Sequence, residues 1–348
     1  MALTFSDTFT LSNLTIAAGS QVTLNAIAGD NFTKSGIGTL ILSGGNNLLS
    51  PTGTLTITDG VFDLGSYSHA TSGTITFQGG TVQNGTIINT GTDYIGQSGT
   101  VAAILDGSVG LTKTTSGTLV LSSANTYDGA TTINGGTLQL SGEGSLPNTT
   151  SVILADVAGA TLDLNGKEQT ISGLYGGGDI GGWVELGDGG QLTVNNDYSN
   201  TFYGRITNLA GGKLVKEGSG TLILSGANTY TGTTTISSGV LELAPTGRIS
   251  TASEIYVSPT AIFKVNGGIH TMGIISGAGI IVIGDGIVAT TVYGDSISAN
   301  AVTIGAGSVF VIGNPPSTGG VSTVPEPSTW VLLIIGAMGL MGAAWRRK

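Results

Sequence analysis

The chain has 348 residues, of which 60 are glycine, none is cysteine and only 9% are charged. Ordinary soluble domains contain roughly 25% charged residues, so this is not a typical enzyme composition, while a mean hydropathy of +0.32 excludes a polar disordered chain. The absence of cysteine excludes disulfides and thiolate chemistry, and a net charge of −10 argues against nucleic-acid binding.

The first 20 residues, MALTFSDTFTLSNLTIAAGS, contain neither lysine nor arginine, and the first basic residue is Lys34. A secretory signal needs a basic segment, an apolar run and small residues before its cleavage site. This stretch lacks the basic segment and the continuous apolar run. Since the C-terminal tail described below predicts export, we expect that a signal has been removed or that the start is truncated.

Short alternating segments separated by turns predict many β-strands. In residues 221–225, Leu222 and Leu224 can face one side of a strand while the intervening residues face the other. Glycine pairs and Asn-Gly dipeptides divide these segments, as tight turns require. No stretch before residue 324 has helical periodicity. The same alternation occurs at residues 39–43, 54–58, 74–77, 118–122 and 161–164.

One unit of 28 residues occurs twice. Residues 113–140 and 216–243 are identical at 18 positions, and a weaker third copy lies at residues 34–64. A short unit of this kind cannot bury its apolar face alone, so neighbouring units must stack. Repetition therefore predicts a solenoid.

The predicted fold is all-β: a right-handed parallel β-helix over residues 1–313, with coils spaced roughly 4.8 Å apart. Antiparallel sandwiches and barrels also use short strands, but they do not need one corner motif repeated in identical form. Glycine at corners explains its abundance. Asn46, Asn125 and Asn228 are expected at one corner, in the left-handed conformation. The residues expected to line the interior are Leu222, Leu224, Ile236, Leu241 and Leu243.

The repeated unit resembles the autotransporter-associated β-strand repeat, whose hallmark is K-x-G-x-G-T-L-x-L-x-G-x-N-T-Y-x-G. Residues 216–232 match this string almost letter for letter, residues 113–129 match nearly as well, and residues 34–50 are a degenerate copy. The resemblance implies an exported, fibrous β-helical passenger and carries no enzymatic activity.

The character of the chain changes after Gly313. Residues 314–323 form a Pro/Ser/Thr/Gly linker, and residues 330–345 are an uncharged apolar run that predicts a single transmembrane helix. A buried helix is the alternative, but a solenoid offers no place for one. Trp330 and Trp345 would lie at the two membrane interfaces. The basic residues expected to stay cytoplasmic are Arg346, Arg347 and Lys348.

Residues 324–348 resemble a PEP-CTERM sorting signal, in which a Pro-Glu-Pro motif precedes one span and a basic end. The resemblance implies an exosortase that removes the tail, so that the inner-membrane stage is transient, and a cell that makes exopolysaccharide. The residues of the predicted processing motif are Val324, Pro325, Glu326 and Pro327.

Candidate chemistry is sparse, and neither a cofactor nor a metal is expected. His69 and His270 are interpreted as residues of surface turns or strand faces rather than metal ligands. Residues 176–180 resemble one copy of a glycine/aspartate calcium repeat, which needs tandem copies. Tyr127 and Tyr230 either pack at a corner, which we favour, or form exposed platforms for sugar rings. The aspartates are scattered and suit turns: Asp59, Asp63, Asp106, Asp156, Asp163, Asp179, Asp188, Asp285 and Asp295.

The sequence thus predicts a non-catalytic, exported structural protein of the cell surface or extracellular matrix, associated with exopolysaccharide or biofilm. An adhesin is one alternative, and it requires an insertion or an aromatic cluster on one side of the rod. A polysaccharide lyase or hydrolase is another, and it requires three or more carboxylates and a basic residue in one groove.

Overall fold

The structure is a computed structural model that describes residues 2–5, 9–10, 12–28, 30–208 and 210–312. These residues form β-strands joined by turns, without an α-helix. The predicted linker, sorting motif and membrane span all lie outside the described residues. Within the described ranges, no helix has the length and apolar character needed to cross a membrane.

Three parallel sheets run along the rod, and we number them sheets 1 to 3. Sheet 1 has 12 strands and covers residues 2–207. Its strands are β1 (Ala2–Phe5), β4 (Gln21–Leu24), β7 (Thr39–Leu42), β9 (Val61–Asp63), β10 (Ser68–Thr71), β12 (Thr81–Asn89), β14 (Gly99–Asp106), β16 (Thr118–Leu121), β18 (Thr137–Leu140), β20 (Thr161–Asp163), β23 (Trp183–Glu185) and β26 (Ile206–Thr207).

Sheet 2 has 15 strands and runs the length of the described solenoid. Its strands are β3 (Asn13–Thr15), β6 (Asn31–Ser35), β8 (Thr54–Ile57), β11 (Ile75–Phe77), β13 (Tyr94–Gly96), β15 (Leu111–Lys113), β17 (Thr131–Ile133), β19 (Ser151–Leu154), β22 (Gly173–Gly176), β25 (Asn200–Phe202), β28 (Thr221–Leu224), β30 (Val240–Leu243), β32 (Ile262–Val265), β34 (Ile280–Ile283) and β36 (Ala301–Ile304).

Sheet 3 has eight strands and begins only at residue 168. Its strands are β21 (Glu168–Ile171), β24 (Gln191–Asn195), β27 (Lys213–Glu217), β29 (Thr234–Ile236), β31 (Ile255–Val257), β33 (Gly268–Gly277), β35 (Thr290–Ile297) and β37 (Val309–Ile312). Two further short strands, β2 (Phe9–Thr10) and β5 (Ile27–Ala28), pair only with each other.

The predicted parallel solenoid is confirmed, and the antiparallel alternative is wrong. Every strand pair in the described residues is parallel, and sheet 2 adds one strand per coil, giving about 15 coils. At about 4.8 Å per coil the rod is roughly 70 Å long. The coils look right-handed, which is the sense that parallel β-crossovers take in about 98% of cases.

The core is one continuous column of side chains from successive coils. On sheet 1, Leu119 is in register with Leu138, and Leu138 with Leu162, and all three are fully buried. On sheet 2, Leu222 and Leu241 stack in the same way. Burial of such aliphatic side chains contributes about 1.5–3 kcal/mol each. The five interior residues predicted from the copy at residues 216–243 are all fully buried.

The two best copies of the repeated unit use different faces of the rod. Residues 113–140 supply strands to sheets 2 and 1, whereas residues 216–243 supply strands to sheets 3 and 2. The shift occurs where sheet 3 has begun and sheet 1 ends, between residues 168 and 207. The second of these copies therefore has the same local structure but lies one sheet further around the rod axis. The coils between residues 168 and 207, where this change occurs, differ from the rest of the rod.

Candidate functional site

The predicted processing and membrane residues lie outside the described residues, so their roles stay predictions. They are Val324, Pro325, Glu326, Pro327, Trp330, Trp345, Arg346, Arg347 and Lys348. The structure does place the other side chains that the sequence singled out, together with a groove that the sequence did not indicate.

Tyr127 and Tyr230 are fully buried, so the hypothesis that they form exposed sugar platforms is wrong. Each phenol hydroxyl contacts a threonine hydroxyl of its own coil: Tyr127 bonds Thr131 at 2.6 Å, and Tyr230 bonds Thr234 at 2.7 Å. Burial raises the pKa of both tyrosines. These residues hold the repeat together from inside.

The three corner asparagines do not have the predicted left-handed backbone; among the described non-glycine residues, positive φ occurs at Asn47, Asn84 and Asn165 instead. Asn228 acts through its amide group. Its Oδ1 accepts from the Ile206 N–H at 2.9 Å, while its Nδ2 donates to the Arg248 carbonyl at 2.9 Å. The side chain thus connects three successive coils where no regular strand does so.

Asn125 makes the same connection in the copy at residues 113–140. Its Oδ1 accepts from the Leu105 N–H at 3.0 Å and its Nδ2 donates to the Ser145 carbonyl at 2.9 Å. In the degenerate copy, Asn46 only accepts from the Ser68 N–H at 3.0 Å. The left-handed interpretation failed because the amide group, rather than the backbone tolerance of asparagine, is what this position uses.

The repeated lysine is a buried residue that sequence reasoning missed. Lys34, Lys113 and Lys216 are fully buried, and their ammonium groups donate to backbone carbonyls at a corner. The Lys113 Nζ bonds the carbonyls of Thr115 and, at 2.9 Å in the next coil, Gly135. Burial lowers the pKa of Lys113 and Lys216 to about 8. Repetition of the lysine was the signal, although lysine is ordinarily a surface residue.

Both histidines lie buried on strands, so the strand-face interpretation is confirmed and the surface-turn alternative is wrong. The His69 Nδ1 accepts from the Leu48 N–H at 3.2 Å, and its Nε2 lies 3.0 Å from the Leu64 carbonyl. His270 Nε2 lies 2.6 Å from the Gly267 carbonyl. Burial lowers the pKa of both rings. Within the described residues, no three histidine, aspartate or glutamate side chains come together as metal ligands.

An open groove of about 460 Å³ lies at the corner where the chain leaves sheet 2 toward sheet 1. It crosses five successive coils at the level where the repeat changes faces. We call it the corner groove, and it is lined by Asp156, residues 177–179, Tyr203, Arg205, residues 225–227 and Thr246.

The polar side chains of the corner groove are held in defined positions. The Asp156 Oδ1 accepts from the Ile180 and Gly181 N–H groups at 2.9 and 3.0 Å. The Arg205 guanidinium lies 5.4 Å from the Trp183 ring centre, in a cation–π contact. The Tyr203 side chain is 55% exposed. The groove therefore presents an aromatic face, hydrogen-bond donors and acceptors together.

Glycine creates the floor of the corner groove. An ideal β-carbon at Gly226 would lie 1.8 Å from the Gly204 carbonyl oxygen, and one at Gly204 would lie 1.9 Å from the Gly182 carbonyl oxygen. Coils can pack this closely only without side chains at these positions. No spacing of residues in the sequence indicates the groove, because its residues come from five separate coils.

Comparison with known proteins supports the identification of the repeated unit and of the C-terminal sorting signal. Residues 32–64, 111–140 and 214–243 match the passenger-associated-transport-repeat family, and residues 323–348 match the PEP-CTERM protein-sorting motif. Over 196 residues, or 55% of its length, the chain is 39% identical to the adhesin BmaC autotransporter of Brucella suis biovar 1 (strain 1330). This match covers 6% of that relative. No solved structure matches the chain significantly.

The matched repeats coincide with the copies recognised in the sequence, and the matched motif coincides with the predicted sorting signal. The chain carries three passenger-associated transport repeats within a parallel β-solenoid and a PEP-CTERM sorting motif at residues 323–348, a combination that points to an exported cell-surface protein.

Proposed function

We propose that the chain is a non-catalytic structural rod of the cell surface or extracellular matrix, delivered by an exosortase pathway. The observation that carries this proposal is the joint presence of a β-solenoid of transport repeats and a PEP-CTERM motif in one chain. A rod with a continuous apolar core is rigid and self-supporting without disulfides or metals. Such a rod suits an extracellular scaffold, and the exopolysaccharide matrix is its proposed surroundings.

In this proposal the tail is a delivery device. Residues 330–345 insert in the inner membrane with the basic end on the cytoplasmic side, and residues 314–323 keep the rod clear of the bilayer. The exosortase then recognises Pro325, Glu326 and Pro327 and separates the rod from the span. Membrane association is transient for this reason.

The test is to express the full precursor in cells with and without the exosortase. We expect a mass loss at the C-terminus and surface or medium location of the rod only when the enzyme is present. Pro325→Ala and Glu326→Ala should leave an uncleaved, membrane-bound precursor. Ser328→Ala, next to the motif, is the matched control and should be processed normally. Unchanged processing in the two motif variants contradicts the proposal.

The corner groove favours a second candidate function, that of an adhesin. The exposed Tyr203 lines the groove together with Arg205, whose guanidinium lies over the Trp183 ring, and the matched BmaC autotransporter is an adhesin. The lyase or hydrolase alternative required three carboxylates in one groove, and this groove holds two, Asp156 and Asp179. Cells displaying the Tyr203→Ala chain should adhere less than cells displaying the parent chain.

A further inference from the structure

We infer that the corner groove binds a neutral oligosaccharide that lies along the rod axis. This inference rests on the adhesin candidate and names its ligand class. Its basis is the shape of the groove, the set of groups that line it, and the charge of the surrounding surface.

The shape fits an extended chain molecule. The groove crosses five coils, so its ends are separated by four coil spacings, or about 19 Å. Its volume of about 460 Å³ lies within the usual range for small-ligand sites, about 300–1,000 Å³. The groove is open to solvent rather than enclosed, so it suits a segment of an extended polymer.

The lining matches the amphipathic surface of a sugar. The exposed ring of Tyr203 offers an apolar face for stacking and a hydroxyl at its edge. Asp156 uses its Oδ1 for two backbone N–H groups, which leaves its Oδ2 available as an acceptor. Arg205 supplies several donors and is positioned by Trp183. Sugar hydroxyls donate and accept at once, so a groove that holds both a carboxylate and a guanidinium suits them.

A peptide strand fits this groove poorly. Strand addition requires free backbone N–H and carbonyl groups at a sheet edge. Along the groove these groups already pair between coils: the Tyr203 N–H bonds the Gly176 carbonyl at 2.8 Å, and the Ser225 N–H bonds the Phe202 carbonyl at 2.9 Å. Recognition therefore falls to side chains and to the tyrosine face.

The charge selects a neutral sugar over an acidic one. The groove brings two carboxylates, Asp156 and Asp179, together with one guanidinium, that of Arg205. The whole chain carries a net charge of −10. Repulsion between carboxylates of the groove and those of a uronic-acid polymer weakens association. Such a polymer should therefore bind less well than an uncharged one of the same length.

The inference is tested with the purified full chain and fluorescently labelled tetrasaccharides, followed by fluorescence polarisation. The neutral probes are β-1,4-glucan, β-1,3-glucan, α-1,4-glucan and α-1,6-mannan tetramers, and the acidic probe is an α-1,4-galacturonan tetramer. We expect saturable binding of at least one neutral probe and weaker binding of the acidic one. Absence of binding by all four neutral probes overturns the inference, and so does tighter binding of the galacturonan.

Variants locate the binding. Tyr203→Ala and Arg205→Met should each raise the dissociation constant of the neutral probe by about tenfold or more. Tyr203→Phe keeps the ring, so its dissociation constant should stay within about threefold of the parent value. Tyr256→Ala is the matched control, since Tyr256 is 42% exposed on sheet 3 away from the groove. Equal unfolding midpoints establish that the variants are folded. Parent-like affinity in both Tyr203→Ala and Arg205→Met places the binding elsewhere and overturns the inference.

The outcome is separable from that of the proposed function. A purified chain that binds a neutral tetrasaccharide through Tyr203, from cells in which the tail is never processed, would support the groove and contradict the delivery pathway. A processed, surface-located chain that binds none of the neutral probes would do the reverse. If Tyr203→Ala abolished cell adhesion but the parent chain bound none of the neutral sugars, the adhesin function would stand and the proposed ligand class would be rejected.

Discussion

The hydroxyl oxygens of Tyr230 and Thr234 lie 2.7 Å apart inside the solenoid, at the start of a chain of hydrogen bonds that crosses to the next coil. Thr234 Oγ1 lies 3.1 Å from Ser253 Oγ, which donates to the Gly232 carbonyl at 2.6 Å. Because the Ser253 hydroxyl hydrogen is used for the Gly232 carbonyl, Ser253 must accept from Thr234, and Thr234 must accept from Tyr230. Tyr127, Thr131 and Thr150 repeat the arrangement.

Removing the Tyr230 hydroxyl, the first donor in this series of hydrogen bonds, should lower the free energy of unfolding less than removing the whole ring. We expect Tyr230→Phe to lower the free energy of unfolding by about 1 kcal/mol, because one buried hydrogen bond is lost. Tyr230→Ala should lower it by about 3–5 kcal/mol, because a cavity is added. Urea unfolding measures both, and Tyr256→Phe on the exposed surface should change little. Equal costs for the two Tyr230 variants would contradict this order.

The buried lysines should make stability depend on pH in the alkaline range. The folded pKa of Lys113 and Lys216 is lowered to about 8 by burial, against an ordinary value of 10.5. Between these values the unfolded chain holds protons that the folded chain has lost, so the free energy of unfolding rises with pH. The rise is at most about 1.4 kcal/mol per pH unit for each lysine, and below about pH 8 both states are protonated and it disappears.

Urea unfolding between pH 8 and about 9.5, below the range in which exposed tyrosines ionise, measures this slope. The Lys113→Met, Lys216→Met double variant should lose most of it. Lys213→Met is the matched control, because Lys213 is exposed on the same strand, β27, as Lys216. A double variant with the parent slope would show that the two ammonium groups do not cause it.

Asn228 should be among the costliest polar residues to replace. In Asn228→Ala the buried Ile206 N–H loses its acceptor, and the Arg248 carbonyl loses a donor. An unsatisfied buried polar group costs about 1–3 kcal/mol, so we expect a loss of about 2–3 kcal/mol in the free energy of unfolding. Asn195→Ala, at an exposed strand end, is the control and should be near neutral. A near-neutral Asn228→Ala would contradict the bridging role.

Alternation was enough to predict the fold of the repeat. The positions of Leu222, Leu224 and Leu241 follow from period two, because a strand residue one place along faces the opposite side. Parallel stacking followed from identical copies that needed each other to bury this face. These are local rules applied many times over.

The polar interior and the groove could not be predicted in the same way. Lys216 and His270 occupy inward positions although their side chains are ordinarily exposed, because backbone carbonyls of the corners accept their N–H groups. The corner groove depends on which coils are neighbours, and coil length varies: Tyr94 pairs with Leu111, 17 positions on, and Gly176 pairs with Phe202, 26 positions on. No sequence spacing places Asp156 and Arg205 in one groove without that register.

Close packing between coils should make two glycines respond in opposite ways to the same substitution. Neither Gly226 nor Gly135 has positive φ, so backbone strain is not the difference between them. A β-carbon at Gly226 meets the Gly204 carbonyl oxygen at 1.8 Å, whereas one at Gly135 meets its nearest atom, the Thr114 carbonyl oxygen, at 3.4 Å. Gly226→Ala must therefore separate two coils or shift the strand, and overpacking of this kind costs about 1–3 kcal/mol or more.

Gly135→Ala meets ordinary van der Waals contact and reduces the freedom of the unfolded chain, so it should be neutral or stabilising by up to about 1 kcal/mol. Thermal or urea unfolding of the two variants beside the parent chain measures the contrast. Because Gly226 lines the corner groove, its variant should also reduce binding of the neutral tetrasaccharide, while Gly135→Ala should leave it unchanged. A Gly226→Ala variant as stable as the parent chain would mean that the coils at residue 226 are free to move apart, and the glycine floor would then have no part in shaping the groove.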